Sequence, residues 1–310
     1  MAKLRMLLTG GGGLVGRNLL DHPLIDGYDV LAPRSSELDL RDFNAVSAFV
    51  RKYQPDMVVH AAGKVGGIQA NLNEPVDFLV ANLDMGRNIV LASYQAGIRQ
   101  LLNLGSSCMY PRNHGEPLRE EMVLQGQLEP SNEGYALAKV VTLRLCEYIM
   151  RQDSSYAYKT LIPCNLYGRY DKFDPASSHL VPAIIHKVHQ ALQDGQPVVE
   201  IWGDGTARRE FMFASDLADA MLRAVGSFSA LPDCMNVGLG FDYSINEYYE
   251  TTAEVMGYKG RFVHNLDKPV GMARKLVNID RQTDWGWSAK HALRDGIHEI
   301  YQYYLKEYLQ

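Results

Sequence analysis

Short apolar runs and longer amphipathic stretches alternate through the first half of the chain. Residues 4–9, 29–32, 57–62, 100–105 and 159–165 are brief, mostly apolar, and bounded by glycine, proline or polar residues. Strands buried on both faces of a parallel sheet read this way. Between them, residues 14–20, 42–53, 83–96 and 135–150 carry apolar positions at helical spacing. Parallel strands need crossover helices, so the alternation predicts an α/β fold with a doubly wound parallel Rossmann-type sheet. Past about Gly168 the rhythm breaks. Pro175, Pro182 and Pro197 punctuate the chain, and turn residues gather in Gly203-Asp204-Gly205-Thr206. Helical patterns return at 216–225, 245–256 and 289–308, with a strand-like run at 235–238. Two interleaved domains are expected: residues 1–165 plus about 212–240, and a smaller α/β domain of about 166–211 plus 241–310.

Composition narrows the classes. The 310 residues are 46% apolar and 22% charged, which suits a folded globular chain and excludes disorder. A formal charge of −5 gives no reason to expect a nucleic-acid partner. The N-terminal apolar run is too short for a signal peptide, and no stretch approaches the roughly 18 apolar residues of a membrane span. Cys108, Cys146, Cys164 and Cys234 lie far apart without a CxxC pair, which argues against a metal site or a disulfide framework. A soluble cytoplasmic protein with free thiols is expected.

Candidate chemistry begins directly after the first run, at Thr9-Gly10-Gly11-Gly12-Gly13-Leu14-Val15-Gly16. Gly10 permits a sharp turn, Gly13 lets backbone approach a pyrophosphate, and Gly16 allows close helix–sheet packing. The helix that follows offers free N–H groups to phosphates. A glycine turn without a ligand is the plainer reading, but a strand before and a helix after favour a dinucleotide-binding domain. After the second strand comes Ala32-Pro33-Arg34-Ser35-Ser36, with no acid before Glu37. An arginine there suits the 2′-phosphate of NADP, although a solvated surface arginine would look the same. Asp39 is a candidate for the adenine edge or for capping the next helix.

Tyr135 and Lys139 are four apart on a helical pattern and so share a face. With 18 tyrosines in the chain, that spacing alone arises by chance. Its position carries more weight, because Ser106 lies just past the strand ending at Leu104, where ligands of such sheets sit. A neighbouring ammonium and a cationic nicotinamide ring would lower the tyrosine hydroxyl, letting it exchange a proton with a carbonyl or carbinol oxygen that Ser106 holds.

With these motifs the chain resembles the extended short-chain dehydrogenase/reductase family, and within it the GDP-L-fucose synthase branch. The stretches that carry the resemblance are Lys64-Val65-Gly66-Gly67-Ile68, Leu104-Gly105-Ser106-Ser107-Cys108-Met109-Tyr110-Pro111 and Leu128-Glu129-Pro130-Ser131-Asn132-Glu133-Gly134-Tyr135-Ala136. Others are Pro163-Cys164-Asn165-Leu166-Tyr167-Gly168, Ser178-His179-Leu180-Val181-Pro182, Trp202-Gly203-Asp204-Gly205-Thr206 and Arg209-Glu210-Phe211. The resemblance runs from the first strand to Arg274-Lys275-Leu276.

It implies an NADPH-dependent 3,5-epimerase/4-reductase that makes GDP-L-fucose from GDP-4-keto-6-deoxy-D-mannose. The alternative is a C4 reductase of another GDP-4-keto-6-deoxy sugar, a dideoxy or heptose form. Ser106, Tyr135 and Lys139 would run the reduction; Cys108 and His179 would be the acid/base pair of the epimerisation. A thiol near pKa ~8.5 falls readily beside cations, and a histidine near ~6.5 can donate at neutral pH. NADP(H) would contact Gly10, Gly13, Leu14, Val15, Gly16, Arg34, Asp39, Leu40, Ala61, Ala62, Gly63, Tyr135, Lys139, Pro163, Asn165, Leu166 and His179. Lys187, Trp202, Arg209 and Lys275 would hold the nucleotide sugar, Arg209 at its diphosphate.

The resemblance further implies a homodimer, built on the helical stretches 83–96 and 135–150. Both carry apolar residues beyond one stripe: Ile89, Val90 and Leu91, then Val140, Val141, Leu143 and Leu145. Three positions depart from the family pattern. Gly12 replaces an arginine at the NADP phosphate, Val270 removes a carboxylate near the sugar end, and Lys172 stands where an asparagine is usual.

Overall fold

The structure, a computed structural model, describes residues 3–174, 178–268 and 272–308. Val270, and Pro175 among the punctuating prolines, lie outside the described residues. In the first half the order is β1 (Leu4–Thr9), α1 (Leu14–Leu20), β2 (Tyr28–Leu31), α2 (Phe43–Tyr53), β3 (Met57–His60), α3 (Ile68–Asn73), α4 (Pro75–Gln95), β4 (Gln100–Leu104), α5 (Glu133–Gln152) and β5 (Ala157–Pro163). There follow β6 (Asn165–Tyr167), α6 (Leu180–Gln193), β7 (Val198–Trp202), β8 (Arg208–Arg209), β9 (Phe211–Phe213), α7 (Ala214–Gly226) and β10 (Cys234–Val237). The chain ends with β11 (Tyr243–Ser244), α8 (Ile245–Met256), β12 (Arg261–Asn265), β13 (Arg274–Lys275), α9 (Asp280–Asp284) and α10 (Leu293–Tyr303).

Among the described residues, six strands form one parallel sheet in the order β10-β5-β4-β3-β1-β2. The doubly wound expectation holds. Alternate side chains feed two cores: Met6, Leu8, Val59 and Leu102 on one face, Leu7, Val58 and Leu101 on the other. The chain runs from β1 outward to β2 and then returns to β3 on the other flank of β1. Ligands of such sheets bind beyond the strand ends at that reversal. A third core joins Tyr167, Phe173, Phe211 and Phe213 to α6, α8 and α10, apart from the sheet.

Local chemistry explains the boundaries. Asp42, not Asp39, caps α2, accepting from Asn44 and Ala45 N–H at 2.9 and 3.2 Å. Ser244 and Glu247 form a capping box on α8, and Gly257 closes that helix at φ 74°. Helix α4 begins at Pro75, well before the expected start at residue 83, because proline fits the first helical turn. The same tolerance hid α6. Its Pro182 lies in the first turn, while Val181, Ile184, Ile185 and Val188 form a buried stripe at helical spacing.

Candidate active site

The glycine loop connects β1 to α1. Gly10 sits at φ 77°, and a Cβ there would come within 2.6 Å of the Ala62 backbone, just past β3. A Cβ on Gly16 would strike the Gly10 carbonyl at 2.2 Å. Both glycines are therefore demanded by the protein's own packing. Gly13, the uncapped residue before α1, is not: a Cβ there meets only the Gly10 carbonyl at 3.5 Å, and one on Gly12 meets nothing within 4 Å. The open side of the loop faces outward with bare backbone, a cradle that fits a dinucleotide phosphate. Leu14 and Val15 open the helix beside it, and Ala61, Ala62 and Gly63 follow β3.

Beyond β2, Arg34 is exposed while its backbone N–H donates to Glu37 at 2.7 Å. Asp39 is taken up by Arg41, whose guanidinium donates at 2.8 and 2.9 Å and holds the carboxyl down at about 2. Leu40 is buried. At the far side of the cleft Pro163 ends β5, and Asn165 and Leu166 open β6, with Asn165 Nδ2 donating to the Glu210 carbonyl at 3.2 Å.

Ser106, Tyr135 and Lys139 meet beyond β4. Ser106 sits beside Tyr135, where it lowers the hydroxyl against the larger effect of burial, and Ser106 Oγ accepts the Cys108 N–H at 3.2 Å. Lys139 Nζ donates to the Leu104 carbonyl at 2.8 Å and lies 5.9 Å from the Tyr135 ring centroid. The expected electrostatics differ from what the protein alone supplies. Burial, and then the nearby Cys108, push the Tyr135 hydroxyl up, while burial pulls Lys139 down to about 8. Desolvation penalises both charged forms, the lysine ammonium and the tyrosinate, so in the protein alone the Tyr135 hydroxyl keeps its proton.

Cys108 and His179 share Lys275 as a neighbouring charge. Asn132 Nδ2 donates to Cys108 Sγ at 3.1 Å, and Lys275 Nζ stands 3.6 Å from the same sulfur. His179 precedes α6 and is held below its usual range by burial, then by Lys172 and Lys275. The histidine expected to donate at neutral pH is thus neutral in the protein alone; an anionic substrate would offset both lysines. Lys172, the departure noted in the sequence, acts here through its charge.

The four substrate candidates spread outward from this point. Strands β8 and β13 pair in parallel with Arg209 opposite Lys275, so two cations stand side by side. Burial lowers Arg209, whose Nη1 donates to the Arg208 carbonyl at 2.8 Å. Further out, Lys187 bonds the Glu200 carbonyl on β7, and Trp202 ends that strand with an exposed ring 5.4 Å from the Lys268 ammonium. Sequence reasoning passed over two residues here. Asn132 was quoted but given no role. Buried Glu210 accepts N–H bonds from Leu239, Gly240 and Val277 at 2.6, 3.0 and 2.9 Å, fastening the residue after β8 to the segments that follow β10 and β13.

Residues 6–238 match the NAD dependent epimerase/dehydratase family. The chain belongs to that family. Among curated members it is 51% identical over 304 residues to the GDP-L-colitose synthase of Yersinia pseudotuberculosis, covering 98% of this chain and 99% of that one. It is 50% identical over 301 residues to the GDP-L-fucose synthase of Azorhizobium caulinodans, covering 97% and 96%. A solved GDP-mannoheptose C4 reductase from Campylobacter jejuni with NADP bound superposes at TM-score 0.88 with 30% identity, covering 99% of this chain and 100% of that one. In this family member the glycine cradle and the Ser106–Tyr135–Lys139 group occupy opposite flanks of the sheet reversal, as a cofactor bound across it requires.

Proposed function

We propose that this protein is an NADPH-dependent epimerase/reductase converting GDP-4-keto-6-deoxy-D-mannose to GDP-L-fucose. The observation that carries the reading is the adjacency of two chemistries: Cys108, in contact with Asn132 and Lys275, lies close enough to the Ser106–Tyr135 pair to perturb the Tyr135 hydroxyl. The 4-keto group acidifies C3 and C5, so the Cys108 thiolate removes a proton there and the C–H electron pair enters an enolate. His179 supplies a proton to the opposite face, inverting the centre. Bound NADPH supplies the hydride for C4. Ser106 orients the carbonyl, and Tyr135 gives its proton to the developing alkoxide. Arg209 and Lys275 hold the diphosphate, with Lys187 and Trp202 toward the guanosine. The glycine loop, Arg34 and residues 61–63 hold the cofactor. The sheet domain carries the cofactor and the smaller domain the sugar, divided as the sequence suggests.

A cytoplasmic homodimer belongs to the same reading. The four cysteines are free, which supports a reducing compartment. Among the described residues no helix is long and apolar enough to cross a membrane. The apolar residues first taken as a dimer signal are largely internal, since Ile89, Val90, Val140 and Leu143 are buried within the subunit. Val141 of that set stays exposed, and it supports the dimer together with Val76 and Val80 on α4 and Leu137 and Tyr148 on α5, all exposed.

The similarity to a GDP-L-colitose synthase favours a second reading, reduction of a GDP-4-keto-3,6-dideoxy sugar, which has no C3 centre to invert. Turnover of each keto sugar in deuterated water, followed by product NMR, separates the two. Deuterium at both C3 and C5 of a GDP-L-fucose product supports the first. Turnover of the dideoxy sugar alone replaces it.

A further inference from the structure

We propose that Asn132 is the positioning residue of the epimerising thiol: its side-chain amide N–H fixes the orientation of the Cys108 sulfur, while its Oδ1 is kept for a sugar hydroxyl. This rests on the reading of Cys108 as the base.

Asn132 stands immediately before α5, at the position where an asparagine ordinarily turns its oxygen onto the first free N–H groups of the helix. It makes no such bond. The amide is turned toward the loop after β4 instead, where Nδ2 donates to Cys108 Sγ at 3.1 Å. The helix has given up a cap, and the amide spends its donor on sulfur. Its other end is also unusual: Oδ1 is buried and has no hydrogen-bond partner. A buried acceptor without a donor is costly and rarely retained unless something else completes it. In a site built for a polyhydroxylated sugar, a substrate hydroxyl meets that need.

The sulfur is gripped from two separate elements. Lys275 on β13 faces it at 3.6 Å, and Asn132 approaches from the foot of the helix that carries Tyr135. A hydrogen-bond donor on a thiol's lone pairs stabilises the anion more than the neutral form. During proton abstraction an S–H bond forms as the C–H bond breaks, with the electron pair passing into the enolate. The directional amide bond sets where the lone pair points before that step, which the freely rotating lysine ammonium cannot do. Asn132 also lies three residues before Tyr135, so one helix end places both the thiol and the phenol.

The test uses the NADP-loaded enzyme with Asn132→Ser, whose hydroxyl suits the cap position that Asn132 leaves unused so that α5 still folds, and Asn132→Asp, which keeps the shape but sets a carboxylate against the sulfur. Two quantities are followed against pH: deuterium uptake at C3 and C5 of GDP-4-keto-6-deoxymannose, and iodoacetamide alkylation of Cys108 without substrate, read by peptide mass. Asn132→Ser is expected to slow exchange about ten- to a hundredfold at neutral pH and to move both pH midpoints upward, with Asn132→Asp moving them further. Slower exchange with both midpoints unmoved would mean a merely structural role and overturn the proposal, as would wild-type profiles in both variants. Cys108→Ser separates the two levels. Wild-type exchange in that variant removes the epimerase reading itself; abolished exchange there, beside unaltered Asn132 variants, removes only this inference.

Discussion

The Lys139 ammonium donates to the Leu104 carbonyl at 2.8 Å, and that buried bond ties α5 to the C-terminal end of β4. One helical turn earlier, Tyr135 is thereby brought to Ser106, two residues past Leu104. The lysine acts first as a strut. Its charge is a cost that the fold carries to keep the strut in place.

That cost is measurable. Burial holds Lys139 at about 8, below the ordinary lysine value of 10.5. Between those values the native state sheds its proton while the unfolded chain retains it, so this residue makes stability rise with pH across that window. Replacing it by methionine should stabilise the protein at pH 7 by about 2 kcal/mol, the charge penalty of about 3 less about 1 for the Leu104 carbonyl left without a donor. The advantage should shrink toward pH 10. Urea denaturation at both pH values checks this; a variant less stable than wild type at pH 7 contradicts it.

Tyr135→Phe keeps the ring and removes the proton. NADPH oxidation with the keto sugar should fall by about 10²–10⁴-fold, while cofactor fluorescence still reports binding. Near-normal oxidation would refute Tyr135 as the acid.

Arg34→Ala tests cofactor choice. The guanidinium is exposed beyond β2 with no acid before Glu37, so its loss should weaken NADPH binding about ten- to a hundredfold. NADH binding should be nearly unchanged. Equal effects on the two cofactors, or none on NADPH, would remove the arginine from the phosphate.

The exposed apolar faces of α4 and α5 make the dimer testable. Val80→Glu with Val141→Glu puts charges at two exposed sites outside the subunit's own core. Light scattering at micromolar concentration should show a dimer for the wild type and a monomer for the double variant. A monomeric wild type would exclude the interface.

The sequence alone determined whatever depends on near neighbours along the chain. The apolar alternation gave the parallel sheet, and Gly10 and Gly16 were legible because a turn and a close helix contact leave no room for a Cβ. Four-residue spacing put Tyr135 and Lys139 on one face of α5 without any tertiary information. Helix α6 was missed because Pro182 was read as a break, although a first-turn proline costs no hydrogen bond. What only the tertiary structure decided lies across long separations. Packing brings Lys275 to Cys108, sets Arg209 beside Lys275 and turns the Asn132 amide away from its helix onto sulfur. It also raises the Tyr135 hydroxyl in the protein alone, because desolvation depends on what surrounds a group in space and not on which residues adjoin it in the chain.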